Sequence, residues 1–248
     1  MLGPAVLGLP RAYWFLWAGT LINRLGSFVL AFLAIYLTEA RGFSPAAAGG
    51  VVALAGAGML VAAPTGGALT DRLGRRPTLL LSMALGAAAM LALGWARTRA
   101  AIGGAAFAAG LLGDLYRPAS QAVIADLVAP EQRTRAYGLL YWAVNLGVSA
   151  AAVLAGLLAK HDFGLLFIGD AATSLACGAV LWLGLPETRP AQAASTSPLA
   201  GLTRPLRDSL FLRFLVAQLL LAVVFFQFGV ALPLDMPRTV SPRPATAG

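Results

Sequence analysis

The segment that decides the fold is a short polar stretch between two long apolar runs. Residues 66–77 read GGALTDRLGRRP, and the runs 46–69 and 78–95 lie on either side of it. Gly74 supplies the backbone freedom that a tight turn needs. Each run is close to the length of about 20 residues that crosses the hydrocarbon core of a bilayer. The segment therefore predicts a very short surface turn between two membrane-spanning helices.

The composition also indicates that lipid is the solvent for most of the surface. Hydrophobic residues make up 59% of the 248 residues, charged residues make up 11%, and the mean hydropathy is +0.79. A soluble chain carries about 25% charged residues, because its surface must be hydrated. This composition excludes a secreted enzyme, a cytosolic binding module and a disordered chain. It predicts an all-α integral membrane protein.

Apolar runs of spanning length occur along the whole chain, and small residues recur in them at four-residue spacing. Gly50, Gly58, Ala62 and Gly66 form one such stripe in the second run. Small residues at this spacing allow helix backbones to approach closely in lipid, so we expect the helices to form a bundle. The seven predicted spans are 13–37, 46–69, 78–95, 101–125, 137–159, 163–185 and 211–234.

The net charge of +8 reflects topology in the membrane and does not indicate nucleic-acid binding. A nucleic-acid-binding protein would cluster its basic residues on one face, whereas these stand singly or in short groups between apolar runs. Positive loops are retained in the cytoplasm, so their distribution predicts a cytoplasmic N-terminus. The basic residues on that predicted side are Arg11, Arg72, Arg75, Arg76, Arg133, Arg135, Arg189, Arg204, Arg207 and Arg213.

The residues needed for metal binding or for intramembrane catalysis are scarce. The single cysteine, Cys177, and the single histidine, His161, lie far apart in the sequence, and His161 falls in a predicted loop. An intramembrane serine protease would need its histidine within the bundle, and a nucleotide-binding loop of the type G-x-x-x-x-G-K-[ST] does not occur. We therefore expect no metal, no cofactor and no enzymatic activity.

The loop between the second and third spans has a specific pattern. It is similar to the motif G-x-L-x-D-R-x-G-R-R/K of the major facilitator superfamily, and its location in the chain is the same. Residues 126–135 resemble that family's loop after helix four, and residues 186–188 resemble its end of helix six. The matching motif residues, which the resemblance implicates in conformational change, are Gly67, Leu69, Asp71, Arg72, Gly74, Arg75 and Arg76.

The resemblance implies a secondary active transporter in a bacterial-type plasma membrane, moving a small solute by alternating access. Its sequence is closest to the drug:proton antiporters of the superfamily, which implies drug efflux and protons as a second partner. Two stretches depart from the antiporter motifs: residues 106–110 lack the early arginine of helix four, and residues 147–152 lack the proline of helix five. Proton coupling therefore stays open at this point.

The predicted organisation is one transporter half followed by shorter pieces. Residues 1–185 form the six-helix N-terminal half, 186–210 a cytoplasmic linker, 211–234 a seventh transmembrane helix, and 235–248 a disordered tail. Such transporters have two six-helix halves with the site between them. The alternative is a truncated or frame-shifted remnant that inserts without transporting alone, with the missing half or another copy of itself as its partner.

Ionisable residues inside spans are costly in lipid and indicate a functional site. Arg24, Asp114, Arg117 and Asn145 each lie about 12–18 Å from the cytoplasmic end of their span at 1.5 Å per residue, so we expect them to share one layer in a substrate or coupling cavity. The alternative is structural: Arg24 and Asp114 neutralise each other, and Asn145 bonds between helices. Asp170 is expected near the outer end of its span, in a structural role.

Overall fold

The computed structural model describes residues 8–27, 29–159, 161–189 and 208–221. All elements in residues 8–189 that it describes are helical, as expected for an all-α chain. Four segments of the described residues are long and apolar enough to cross a membrane: Pro45–Leu73, Arg75–Trp95, Pro130–Leu158 and Gly164–Gly184. The helices are α1 (Arg11–Leu25), α2 (Val29–Ile35), α3 (Pro45–Leu73), α4 (Arg75–Trp95), α5 (Arg99–Asp114), α6 (Tyr116–Leu127), α7 (Arg133–Ala159) and α8 (Gly164–Gly184), with a π-helical turn at Tyr36–Ala40 and a 3₁₀ turn at Pro130–Gln132.

The prediction of one continuous helix was wrong for the spans 13–37 and 101–125. The first is divided into α1 and α2, because the N–H groups of Gly26 and Ser27 turn back to the carbonyls of Asn23 and Arg24, both at 3.2 Å. The second is divided into α5 and α6 at Leu115. Pro118 explains that break, because it has no N–H for the carbonyl four residues earlier and its ring crowds that carbonyl.

The small residues place α3 and α5 in direct backbone contact. A Cβ added at Gly58 would collide with the carbonyl of Phe107, and one added at Gly110 would collide with the carbonyl of Ala55. Of the predicted stripe on α3, Gly58, Ala62 and Gly66 are buried, whereas Gly50 is exposed. Gly66 lies against Leu115 and Pro118, so the stripe packs α3 against both α5 and α6, as expected for association in lipid.

The buried core consists of two apolar clusters with a polar layer between them. One cluster includes Leu33, Leu37, Leu93, Ile102 and Leu166. The other includes Tyr13, Leu16, Leu79, Ile124 and Leu181. Along α1–α2, α5–α6 and α8, the residues between these two sets are more polar. Together with Ser82 and its neighbours on α4, they line the cavity described below.

The C-terminal part of the described chain is a separate unit. Its helix α9 (Ser209–Leu221) coincides with the start of the predicted seventh span. The Asp208 carboxylate accepts hydrogen bonds from the N–H groups of Leu210 and Phe211, at 2.8 and 3.4 Å, which caps the helix N-terminus. The rest of that predicted span, most of the predicted linker and the predicted tail lie outside the described residues.

Candidate functional site

A cavity of about 190 Å³ lies in the polar layer and is lined by α1, α2, α3, α4, α5 and α8. Three charged side chains line it, Arg24, Asp114 and Asp170, and no other charged residue lines it in the described part of the chain. Buried charges are stable in such a place only when they are paired or hydrogen-bonded. The remaining lining residues that the following argument uses are Asn23, Ser27, Met59, Ser82 and Ser174.

The hydrogen-bond partner of Arg24 is the hydroxyl of Tyr116, the first residue after the helix break. The guanidinium also lies 5.0 Å from the centroid of the Tyr116 ring. Asp114 and Asp170 both attract it electrostatically. The direct Arg24–Asp114 ion pair that the sequence suggested is not formed within the described residues, although both side chains line the same cavity. The Nε atom of Arg24 is buried and has no hydrogen-bond partner in the described part of the chain.

Asp114 instead forms an ion pair with Arg117, at 3.6 Å, one turn along the chain. The Asp114 side chain is 16% exposed and that of Arg117 is 68% exposed. This pair lines a second, more open depression of about 420 Å³, with Met59, Pro118 and Gln121 in its wall. Asp114 and Met59 line both spaces, so Asp114 stands between the internal cavity and the open depression.

Asn145 does not line either space. It lies on the exposed face of α7, and its amide donates to the carbonyl of Tyr141 at 2.8 Å. On α7 it is Gly147 that packs against Arg24, since a Cβ added there would collide with the Arg24 side chain. Within the predicted layer, Asp114 therefore shares the internal cavity with Arg24 and an ion pair with Arg117, whereas Asn145 lies apart from all three.

Asp170 lies inside the bundle and lines the internal cavity. The sequence had instead suggested a structural role near the outer end of its span. Asp170 is 7% exposed. Its carboxylate lies near the backbone N–H of Val29 and the hydroxyl of Ser174. The Ser174 hydroxyl in turn accepts from the amide of Asn23 at 3.1 Å. The only sequence signal for this arrangement was a charged residue within an apolar span.

The loop between α3 and α4 forms a second polar cluster. Gly74 has φ of +106°, a conformation that favours glycine. The Glu187 carboxylate accepts from the N–H groups of Arg75 and Arg76, at 2.9 and 3.1 Å. Residues 186–188, which follow α8, therefore cap the N-terminus of α4, where a carboxylate is electrostatically favoured.

The side chains of the loop motif divide into packed and exposed groups. Arg75 is buried and contacts Asp126 at 2.8 Å and Asp71 at 3.7 Å. Arg76 donates to the carbonyl of Trp182 at 2.7 Å and lies over its ring. Arg72 is exposed, and a Cβ added at Gly67 would contact nothing within 4 Å. The motif thus joins the ends of α3, α4, α6 and α8 through Arg75 and Arg76.

Comparison with known proteins agrees with this architecture. The profile of the Major Facilitator Superfamily matches residues 16–241. The multidrug resistance protein MdtH of Shigella sonnei (strain Ss046) is 29% identical over 177 residues, which are 71% of this chain and 42% of that protein. MdtH of Escherichia coli (strain K12 / DH10B) shows the same identity and coverage. The chain thus spans about two fifths of the length of these curated relatives.

Solved structures share the fold. A peptide transporter POT in complex with sulfate has a TM-score of 0.66 at 20% identity, covering 91% of this chain and 47% of its own. The human organic anion transporter MFSD10 has a TM-score of 0.61 at 23% identity, covering 79% and 53% respectively. At these identities the likeness concerns the arrangement of helices alone.

Proposed function

Because the chain belongs to the major facilitator superfamily, we propose that it carries small organic solutes across the membrane by alternating access, as a drug-efflux transporter. The observation that carries this proposal is the pair of polar spaces that share Asp114 within a bundle of apolar helices. Charged groups are rare in lipid-embedded helices and usually face a solute or ion pathway.

The open depression supports an amphipathic solute. Asp114, Arg117 and Gln121 offer charged and amide groups, while Met59, Leu60 and Pro118 offer apolar contact. Binding sites for small molecules combine a mostly apolar wall with a few polar groups that orient the ligand. The relatives of S. sonnei and E. coli are named as multidrug resistance proteins, which supports drugs as the solute class.

We further propose that protons drive the transport and that the Arg75 cluster, which is Arg75 with Asp71 and Asp126, stabilises one of the two conformations. The cavity-lining charges are Arg24, Asp114 and Asp170, one cation and two acids. One of the acids can therefore bind a proton without leaving Arg24 uncompensated.

The Arg75 cluster lies at the end of the bundle that is remote from the π-helical turn. It joins helices that would have to move together.

We expect the N-terminus and the loop 66–77 to face the cytoplasm of a bacterial-type plasma membrane, because the basic residues concentrate on that side. Single cysteines at Glu131 and Arg97, both exposed, can be introduced into a Cys177→Ser background. An impermeant thiol reagent should label position 97 in intact cells and position 131 only after permeabilisation. Labelling of position 131 in intact cells would reverse the orientation.

Replacing Asp114 with asparagine should reduce energised efflux of a fluorescent lipophilic cation, such as ethidium, at least tenfold in cells that express the gene. Asp114 is the acid shared by the two spaces, and the substitution removes its charge while keeping its shape. Asp162→Asn, the same change on an exposed loop, should leave efflux unchanged. Efflux in Asp114→Asn equal to that of the unaltered protein, at equal expression, would contradict the proposal.

A further inference from the structure

Two opposite charges line the internal cavity without an ion-pair partner. Arg24 and Asp170 both lie in its wall, and neither takes part in the ion pairs that the described residues form. The third charged residue of the wall, Asp114, differs from them, because it is paired with Arg117 at 3.6 Å. One guanidinium and one carboxylate therefore share the cavity, each without an opposite charge of the described residues in contact with it.

The Arg24 guanidinium has an incomplete set of contacts. The hydroxyl of Tyr116, which accepts its hydrogen bond, is neutral, and the Nε atom has no hydrogen-bond partner in the described part of the chain. Gly147 of α7 packs against the Cβ of Arg24, so the base of the side chain is fixed. A buried charge is stabilised by an opposite charge that contacts it. Arg24 therefore offers a binding point for a carboxylate, whose two oxygens match the donors of a guanidinium.

Asp170 lies among neutral polar groups of the cavity wall. Ser174, one turn along α8, accepts from the amide nitrogen of Asn23 at 3.1 Å. The same nitrogen lies 3.7 Å from the sulfur of Met83, which leaves the amide oxygen of Asn23 as an acceptor. An ammonium group donates three hydrogen bonds. The carboxylate of Asp170, the hydroxyl of Ser174 and the oxygen of Asn23 offer three acceptors for it in one wall of the cavity.

The size of the cavity limits the solute that it can hold. Its volume of about 190 Å³ equals that of about six water molecules. Sites for drug-sized ligands have volumes of about 300–1,000 Å³, so a solute of about the size of an amino acid fits inside, whereas a larger one does not. The apolar part of the wall includes Met59, Met83 and Met90, whose flexible side chains adapt to apolar groups of different shapes.

We propose that the internal cavity binds a small zwitterionic solute, with its carboxylate against Arg24 and its ammonium group against Asp170. This rests on the proposed transport of small organic solutes and names the class that the internal cavity selects. A zwitterion compensates both buried charges at once and brings no net charge into the bundle. A solute with a single charge leaves either Arg24 or Asp170 without a partner, which weakens its binding. No covalent bond forms or breaks.

Equilibrium binding to the purified chain in lipid nanodiscs tests the charge requirement without transport. Tritiated L-leucine is the probe, and the competitors are 3-methylbutylamine and 4-methylpentanoate, which are leucine without its carboxylate and without its ammonium group. L-leucine should bind at least about tenfold more tightly than either competitor, because each competitor loses one charge-assisted contact. Absence of L-leucine binding, or binding of either competitor as tight as that of L-leucine, overturns the proposal.

Two variants test which residue recognises which group. Arg24→Gln should bind L-leucine no more tightly than 3-methylbutylamine, and Asp170→Asn should bind it no more tightly than 4-methylpentanoate. The matched controls Arg97→Gln and Asp162→Asn make the same changes on exposed residues outside the cavity and should keep the preference for L-leucine. A full preference for L-leucine in Arg24→Gln or in Asp170→Asn contradicts the assignment. The competition on the unaltered chain needs no variant, so it decides the matter where a variant does not fold.

The ethidium efflux described above separates this proposal from the proposed function. Ethidium efflux by a chain that does not bind L-leucine would reject the zwitterion site and leave drug efflux in place. Binding of L-leucine that requires both of its charges, in a chain that does not export ethidium, would reject drug efflux and leave the zwitterion site in place.

Discussion

Replacing Arg75 with alanine is expected to destabilise the bundle by an amount near the lower end of about 3–5 kcal/mol, the cost of breaking a buried ion pair. Arg75 contacts Asp126 at 2.8 Å and Asp71 at 3.7 Å, and it also donates to the carbonyl of Thr70. The side chain of Asp126 is 20% exposed, so water compensates part of the lost charge, which places the effect at the lower end. Thermal unfolding of the purified protein in detergent measures it.

Arg72→Ala is the matched control, since Arg72 lies in the same loop but is exposed. Exposed ion pairs contribute about 0–1 kcal/mol, so this variant should unfold at nearly the same temperature as the unaltered protein. Adding Asp126→Asn to Arg75→Ala should restore part of the stability, because it removes the uncompensated carboxylate. Equal losses in Arg72→Ala and Arg75→Ala would show that the loop stabilises the bundle by overall positive charge alone.

Gly110→Ala is expected to lower the yield of folded protein severely. The added Cβ would collide with the carbonyl oxygen of Ala55 on α3, and backbone atoms cannot rotate away as a side chain can. Overpacking a tight site costs about 1–3 kcal/mol, and we expect the upper end here because α3 and α5 must separate. Size-exclusion chromatography of the detergent-solubilised protein should show a much smaller monodisperse peak.

Gly104→Ala, on the same helix, is the matched control, and we expect no loss of folded protein from it. Gly104 is exposed, and an added Cβ would meet nothing within 4 Å. Alanine is favoured over glycine in a helix by about 1 kcal/mol. This variant should therefore be as stable as the unaltered protein or slightly more so. If both substitutions reduce the yield equally, the close approach of α3 and α5 is not what limits folding.

The apolar runs predicted where helices lie better than they predicted whether each helix is continuous. Hydropathy located the segments 46–69 and 78–95 within α3 and α4, because a spanning helix needs an uninterrupted apolar stretch of known length. The breaks after Leu25 and Asp114 were missed, although Gly26 and Pro118 stand in the sequence. A glycine or proline within a span is tolerated in a helix or breaks it according to which neighbouring groups can satisfy the backbone. Pro64, which lies inside the continuous helix α3, shows the first outcome.

The charged residues of the candidate site could be predicted, but most of their partners could not. Arg24 and Asp114 stood out because a charge within an apolar run is costly. Depth along a helix placed Asn145 in the same layer, yet its direction around the helix turns it to the exposed face of α7. Tyr116 and Ser174 carry no charge and therefore gave no signal before the fold brought them to Arg24 and Asn23.

The sequence by itself determined that the chain is a helical membrane protein and that a polar turn joins α3 to α4, since both follow from local composition and spacing. Only the tertiary structure decided which buried charges meet. Arg24 comes from α1, Asp114 from α5 and Asp170 from α8, and their common cavity exists because two broken helices pack beside α4 and α8. The energy of a polar group in a bundle depends on neighbours that are distant in the chain, so no local pattern could assign Asn23 to Ser174 or Glu187 to the N-terminus of α4.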